Sequence, residues 1–226
     1  MVAILDYQAG NDRPIVARTA TGSITRSFSL PIELSGLTLS INGAACGLKS
    51  VSRHRIEFVV PPAIASSASG TFYPIVITNN GTKLKSTVLI VPAQPDIFTK
   101  NQEVAAFGRA NLFNVTNRVR TTEPFVIKTI KVKGNMLVPS VIRVYLTGVA
   151  NVSSGAITVR IGASTISGTA IKTSPSIIEP GVYIFDFELP AALLGGGDQP
   201  IIVTVTAGGV AFSSRLDDTS SSVRIL

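Results

Sequence analysis

The chain has few of the side chains on which catalysis and metal binding usually depend. Its 226 residues include one Cys, one His and no Trp, and only 15% of them are charged. A lone cysteine, Cys46, excludes an intrachain disulfide and a zinc site built from cysteines. A lone histidine, His54, offers a single choice of base for a Ser–His–Asp or Cys–His arrangement. We therefore expect no cofactor, no metal site and no small-molecule substrate.

Long apolar runs and charged tails are also missing. No apolar run approaches the roughly 18 residues that a membrane-spanning helix needs, so we expect no membrane insertion. The net charge of +7 is spread over both halves of the chain. Residues 1–10 contain neither a basic segment nor a long apolar segment, and no signal peptide is expected there.

The side chains that the sequence has in excess are β-branched. Ile, Val and Thr account for roughly three residues in ten, and such side chains suit a pleated, half-buried surface. The 19 Gly and 13 Pro add frequent turns, and a hydrophobic content of 45% is too high for a disordered chain. A helical bundle would need more Leu, Ala, Glu and Lys. We expect an all-β protein with many short strands.

One pattern of strands and turns occurs twice along the chain. In the first half its four segments are residues 37–43, 55–61, 70–81 and 86–91. In the second half they are residues 157–162, 183–190, 199–209 and 212–214. The second segment of each copy ends at a proline, Pro61 or Pro190, and the third ends at a glycine-containing turn. The repeated order predicts two similar β-sandwiches in tandem.

This repeat divides the chain into four parts. Residues 1–21 are interpreted as an N-terminal extension or the remnant of a preceding domain. Residues 22–92 form the first predicted sandwich, and residues 118–226 form the second. Residues 93–117 are predicted to be a linker with a small hairpin around Gly108, entered through the proline-containing segment 92–96.

The turn motifs resemble those of a known family. The first half contains Ile41-Asn42-Gly43, Val60-Pro61-Pro62 and Gly70-Thr71-Phe72-Tyr73-Pro74-Ile75-Val76-Ile77, and the joint reads Pro92-Ala93-Gln94-Pro95-Asp96-Ile97-Phe98. Over residues 22–226 the sequence is similar to the tandem immunoglobulin-like C-terminal region of large secreted proteins of acidobacteria and their relatives, in the IPT/TIG branch. The resemblance implies two immunoglobulin-like sandwiches and a non-catalytic module. It also implies an extracellular or cell-surface location, as part of a larger exported protein.

Seven basic residues are candidates for contact with an anionic partner. They are Arg53, Arg55, Lys83, Lys85, Lys128, Lys131 and Lys133. A spacing of two residues places Arg53 with Arg55, and Lys83 with Lys85, on one face of a strand. The alternative interpretation is a solvated face whose lysines discourage edge-to-edge aggregation. Aromatic residues are absent beside these clusters, so we do not expect nucleic acid to stack there.

The acidic residues give only a weak indication of a catalytic or calcium-binding site. Asp186 and Glu188 share one face of a predicted strand, as paired glycosidase carboxylates would, and Asp217-Asp218 lies in a polar turn. No motif predicts a cleft around either pair, and no calcium-loop spacing is present. We therefore expect that the protein is not an enzyme.

The sequence is compatible with three functions. The first is adhesion, spacing or recognition at a cell surface, with a glycan or a protein as partner. The second is self-assembly into a filament or surface layer, in which the apolar segment Val2-Ala3-Ile4-Leu5 adds a strand to another copy. The third is binding to an anionic polymer, a polysaccharide or a nucleic acid.

Overall fold

A computed structural model of the chain describes residues 1–6, 18–19, 29–100, 108–117, 120–150, 152–214 and 220–226. The protein is all-β, as expected, and consists of several antiparallel sheets. Within the described residues the helical content is limited to three short 3₁₀ turns, Ser154–Ala156, Gly168–Ala170 and Ala191–Leu193. None of the described helices is long and apolar enough to cross a membrane.

The chain divides into two compact units. The first unit comprises residues 1–92 together with 177–182, and the second comprises residues 93–176 and 183–226.

The first unit contains two sheets. Its strands are β1 (Val2–Asp6), β2 (Arg18–Thr19), β3 (Glu33–Leu34), β4 (Leu37–Ile41), β5 (Ala44–Ala45), β6 (Gly47–Val51), β7 (Arg55–Val59), β8 (Thr71–Asn79) and β9 (Thr82–Ile90). One sheet has the order β1-β7-β6-β2. The other has the order β3-β4-β8-β9, with β5 also paired to β4.

Period-two alternation builds the core of this unit. In β4, Leu37, Leu39 and Ile41 are buried, whereas the residues between them are more exposed. Ile56 and Phe58 of β7 and Ile75 and Ile77 of β8 join the same cluster. Because the cluster draws on both sheets, the two sheets pack face to face as a sandwich.

The strands from residue 93 onward form two further five-stranded sheets and a separate hairpin. They are β10 (Asp96–Ile97), β11 (Leu112–Asn114), β12 (Lys128–Lys131), β13 (Met136–Pro139), β14 (Val141–Thr147), β15 (Ile157–Ile161), β16 (Ser164–Ile166), β17 (Ser176–Glu179), β18 (Val182–Glu188), β19 (Gly197–Ala207), β20 (Val210–Ser213) and β21 (Ser221–Ile225). One sheet has the order β10-β14-β18-β17 with β11 on β14, and the other has the order β16-β15-β19-β20 with β21 on β19. Strands β12 and β13 pair with each other.

Both five-stranded sheets of this part contribute to one apolar core. Val144 of β14 and Phe185 and Phe187 of β18 meet Val159 of β15 and Val203 of β19 in a single cluster. The rings of Phe185 and Phe187 are tilted against each other at a centroid distance of 6.2 Å. Large apolar side chains from facing sheets therefore exclude water from the centre of the second unit.

The same strand pairings occur in both units. Strand β4 pairs with β8, which pairs with β9, and likewise β15 pairs with β19, which pairs with β20. The short strands β5 and β16 fold back onto β4 and β15.

The pairing of β1 with β7 corresponds to that of β14 with β18. Val2 lies opposite Val59, two residues before Pro61, and Val141 lies opposite Glu188, two residues before Pro190. Strand β1 therefore occupies the place in its unit that β14 occupies in the other.

Two segments that the sequence interpretation left outside the sandwiches contribute strands. The range 1–21 contains β1, which pairs with β7 over five residues. The range 93–117 contains β10 and β11, and both pair with β14. The amide N–H of Lys100 donates to the carbonyl of Arg109 at 2.9 Å, close to the predicted hairpin at Gly108. Residues 105–107, which that prediction also used, lie outside the described residues.

The role of β1 can be tested with two neighbouring residues. Leu5 packs against the first core, whereas Ile4 is exposed on the other face of β1. Leu5→Ala should lower the free energy of unfolding by about 1–2 kcal/mol because apolar area leaves a half-buried site. Ile4→Ala should cost about 0.5 kcal/mol or less. Urea unfolding, with hydrogen exchange of the β7 amides as a local probe, measures both. Equal and negligible effects would show that β1 does not contribute to the sandwich.

Candidate contact surface

The β12–β13 hairpin is attached to the second unit by a polar network on its inner face. Asn114 Nδ2 donates to Thr129 Oγ1 at 2.9 Å, and Thr129 Oγ1 lies 2.7 Å from Ser140 Oγ. Asn114 and Ser140 are both buried. A two-stranded hairpin has marginal stability alone, so these hydrogen bonds hold it in a defined position.

Asn117 provides a second attachment, closer to the tip of the hairpin. Its Nδ2 donates to the carbonyl of Ile130 at 3.0 Å, and the amide N–H of Val132 donates to its Oδ1 at 3.1 Å. The amide side chain thus pairs with the edge of β12 as a short strand would. The hairpin is held along its length by side chains from the segment that precedes it.

Four large apolar side chains of this hairpin are exposed. Ile130 and Leu137 lie opposite each other and are 56% and 60% exposed. Met136, at 62%, points to the other face, and Val132, at 81%, lies in the connecting turn. Exposed apolar groups concentrated in one place usually mark a contact site. We use the name hairpin patch for these four residues together with Lys128, Lys131 and Lys133.

The structure brings the three lysines of one predicted cluster together at this hairpin. Lys128 and Lys131 are three residues apart in β12 and point to opposite faces, whereas Lys133 lies in the turn. All three are exposed. No ion pair to any of them occurs among the described residues. Positive charge therefore surrounds the exposed apolar side chains on both faces of the hairpin.

Lys83 and Lys85 lie on one exposed face of β9, as their spacing indicates. They are opposite Thr78 and Val76 of β8. The same face carries a second exposed cross-strand apolar pair, Phe72 with Leu89. This sheet face has the same kinds of side chain as the hairpin patch, but they lie on one face of a five-stranded sheet.

Arg53 and Arg55 differ in local structure. Arg53 lies in the bend before β7 and Arg55 begins that strand, so the two do not share a strand face. Ser52 closes the bend, because its Oγ accepts from the amide N–H of Arg55 at 3.1 Å. Both arginines and His54 are exposed.

A cleft of about 410 Å³ lies beside the inner face of the hairpin. Its lining includes Lys131, Arg143, Asp186 and Glu188. Arg143 binds Asp186 with two hydrogen bonds, from Nε and Nη2, each 2.8 Å long, and Glu188 pairs with Lys172 at 3.0 Å. The hydrogen bonds to Asp186 raise the pKa of Arg143. Because each carboxylate has its own cation, the arrangement suits structural ion pairing better than acid–base catalysis.

A second ion-pair network surrounds Glu123. Its carboxylate accepts hydrogen bonds from Lys100 Nζ at 2.7 Å, from Arg109 Nε at 3.0 Å and from the amide N–H of Arg224 at 2.9 Å. Burial alone would raise the pKa of Glu123, but these hydrogen bonds outweigh it and hold the pKa below the ordinary value of 4.5. Arg109 also pairs with the more exposed Asp198. The network joins chain segments that are far apart in sequence.

The remaining residues that the sequence suggested for catalysis or metal binding do not form a site in the described part of the chain. Cys46 is fully buried, and burial raises the pKa of its thiol to about 12. No group of three His, Cys, Asp or Glu residues that could hold a metal ion occurs among the described residues. Asp217 and Asp218 lie outside the described residues.

Comparison with known proteins does not identify a family. No family model and no curated protein matches the chain. Among solved structures, an endo-fucoidan hydrolase from glycoside hydrolase family 107 matches 84% of this chain and 24% of its own length. The two are 8% identical and superpose with a TM-score of 0.22. A likeness of this size carries no argument about fold or function.

The Glu123 network predicts a pH-dependent contribution to stability. Since the pKa of Glu123 is lowered by folding, its stabilisation is complete above the ordinary pKa and is lost as the pH falls through the lowered value. Glu123→Gln should reduce the free energy of unfolding by about 1–3 kcal/mol at pH 7, and by much less near pH 3.

Asp198→Asn serves as the matched control for this variant. Asp198 belongs to the same network, but its side chain is 51% exposed, against 9% for Glu123. The control should therefore have the smaller effect at pH 7. Denaturant unfolding at several pH values measures both variants, and a pH-independent effect of Glu123→Gln would contradict the assignment.

Proposed function

We propose that this chain is a non-catalytic extracellular module of two tandem immunoglobulin-like sandwiches, which acts in adhesion, spacing or recognition at a cell surface. The observation that carries the proposal is the hairpin patch, where anchored, exposed apolar side chains are surrounded by lysines. Recognition by such a surface needs complementary shape and charge but no reactive group.

The repeated strand pairing supports the tandem architecture. Sandwiches built on the same pairings, β4–β8–β9 in one unit and β15–β19–β20 in the other, are what a duplicated immunoglobulin-like domain would produce. Of the motifs that resemble the IPT/TIG branch, Ile41-Asn42-Gly43 turns β4 into β5, and residues 70–77 lead into and form most of β8. Each unit is a stable support from which loops and hairpins reach a partner.

The anchoring of the hairpin supports its assignment as the contact surface. Free hairpins with exposed apolar side chains lose conformational entropy when they bind, which lowers affinity. The bonds from Asn117 and the partly buried Asn114–Thr129–Ser140 network fix this hairpin before any partner arrives. The fixed geometry makes the exposed apolar area available for binding at a lower entropic cost.

Self-assembly by strand addition is the second candidate function. Strand β9 has nine residues and pairs only with β8 among the described strands, so its other edge is open there. Open edges accept strands from other chains. The segment proposed as donor, residues 2–5, lies in β1 and pairs with β7 of its own chain. Donation to a neighbouring chain would therefore require β1 to leave β7.

Molar mass distinguishes the two candidates. If recognition is the function, size-exclusion chromatography with light scattering should give the mass of one chain, 23.6 kDa, over a wide concentration range. A mass that rises with concentration and falls when a proline is introduced in β9 would support strand addition instead.

Binding to isolated bacterial cell envelopes tests the recognition function. The wild-type chain should co-sediment with envelopes, and the double variant Ile130→Ser/Leu137→Ser should bind at least about tenfold more weakly because two exposed apolar side chains are lost from the contact. Both side chains are exposed, so the substitutions should leave the fold intact.

The matched control is Phe72→Ser/Leu89→Ser, which removes the exposed cross-strand apolar pair of the first unit. It should bind envelopes as the wild-type chain does. No envelope binding by the wild-type chain would refute the proposed function, and an equal loss in both double variants would refute the assignment of the contact to the hairpin.

A further inference from the structure

We propose that the partner of the hairpin patch is an anionic lipid surface, with the aliphatic tip in the headgroup region and the lysines against the lipid phosphates. This inference rests on the proposed function and names the partner of the same surface. The contact is peripheral, because only the end of one hairpin enters the lipid.

The distribution of apolar side chains over both faces favours a lipid over a protein partner. Ile130 and Leu137 lie on one face of the hairpin, Met136 lies on the other, and Val132 is at the turn. A folded protein surface would cover one face and leave the other in water. A fluid lipid interface surrounds the tip and removes apolar side chains on both faces from water at once.

The chemical nature of these side chains argues against a sugar or a nucleobase. All four are aliphatic or thioether side chains, and the hairpin contains no aromatic residue. Sugars and bases are bound mainly by stacking on aromatic rings or Arg planes, which the patch does not offer. Acyl chains require only apolar volume, which Ile, Val, Leu and Met provide.

The charge of the patch determines the kind of lipid. Lys128, Lys131 and Lys133 are exposed around the apolar tip, and their long stems allow the ammonium groups to reach lipid phosphates. Asp186 and Glu188 in the neighbouring cleft are paired with Arg143 and Lys172 and so offset little of this charge. A second copy of the chain would bring the same positive patch, which argues against self-association there.

The length of the hairpin fits the thickness of the interface. Strand β12 ends at Lys131, and the turn residue Val132 lies two residues beyond Ile130, which at strand rise corresponds to at most about 7 Å. Interfacial elements bury their apolar side to a depth of about 5–10 Å. The polar turn residues Gly134 and Asn135 at the end oppose deeper entry.

Vesicle co-sedimentation tests the inference on the full chain. Binding to vesicles of phosphatidylcholine with 30 mol% phosphatidylglycerol should be at least about tenfold tighter than to pure phosphatidylcholine. The reason is that each lysine near an anionic surface raises the binding affinity about fivefold. It should weaken as salt is added. Ile130→Ser/Leu137→Ser should reduce binding by at least about tenfold on the anionic vesicles.

Two pairs of lysines provide the matched charge variants. Lys131→Gln/Lys133→Gln should lose most of the preference for anionic vesicles, whereas Lys83→Gln/Lys85→Gln, with the same spacing in another hairpin, should behave as the wild-type chain does. Equal losses in both variants would show a non-specific effect of net charge and would overturn the assignment to the hairpin patch.

The absence of Trp from the chain allows a direct measurement of insertion. A single Trp introduced as Val132→Trp should shift its fluorescence to shorter wavelength on anionic vesicles, because the indole enters a less polar medium. Val210→Trp, at the first residue of β20 in a different hairpin of the second unit, should show no shift. Equal shifts at both positions, or none at either, would overturn the inference.

The outcomes separate this inference from the proposed function. Envelope binding that persists after lipid extraction and is lost after protease treatment would identify an acidic protein as the partner. Envelope binding that is displaced by an acidic polysaccharide, without vesicle binding, would identify an anionic polymer. In both cases the lipid inference fails and the recognition function stands. No binding to envelopes or vesicles would refute both.

Discussion

The period-two alternation of strand side chains is the constraint on which the rest of this structure depends. Every second residue of β4, β7 and β15, and of residues 201–205 in β19, is buried in a core, and this burial sets which face of each sheet points inward. The register follows, since a shift by one residue would expose Ile56 and Phe58 and bury Glu57. Once the inner faces are paired, the side chains between them point away from the core, and most of them are more exposed. Apolar residues that remain outside therefore have no role in either core.

Local pattern was sufficient to predict many of the strands. The alternation in segments 37–43, 55–61, 157–162 and 199–209 predicted β4, β7, β15 and β19 to within a few residues. The turn after β4 was also predicted, from Ile41-Asn42-Gly43. Asn42 and Gly43, with φ values of 51° and 78°, adopt the left-handed backbone that a two-residue hairpin turn requires and that Asn and Gly tolerate best.

The pairing of strands that are distant in sequence could not be predicted from local pattern. Strand β1 lies about fifty residues before β7, and its short apolar sequence is compatible with a strand in any sheet, its own or that of another chain. Likewise, the spacing of residues does not show that Arg143 lies opposite Asp186, because that pair depends on the register of β14 with β18. The correspondence of β1 with β14 becomes visible only when the pairings of both units are compared.

The contact surface shows a further limit of sequence reasoning. The lysines at 128, 131 and 133 were recognisable as a cluster, but Ile130 and Leu137 follow the same alternation as core residues and give no sign of exposure. The strands β12 and β13 form a two-stranded sheet with no further strand paired to it in the described structure, and Ile130 and Leu137 are exposed on its outer face. The inner face is occupied by the hydrogen bonds of Thr129, which hold the ribbon to the unit. The polar anchor of Thr129 on the inner face and the exposed Ile130–Leu137 pair on the outer face differ from the usual arrangement of a sheet, which is why we propose the hairpin as the contact surface.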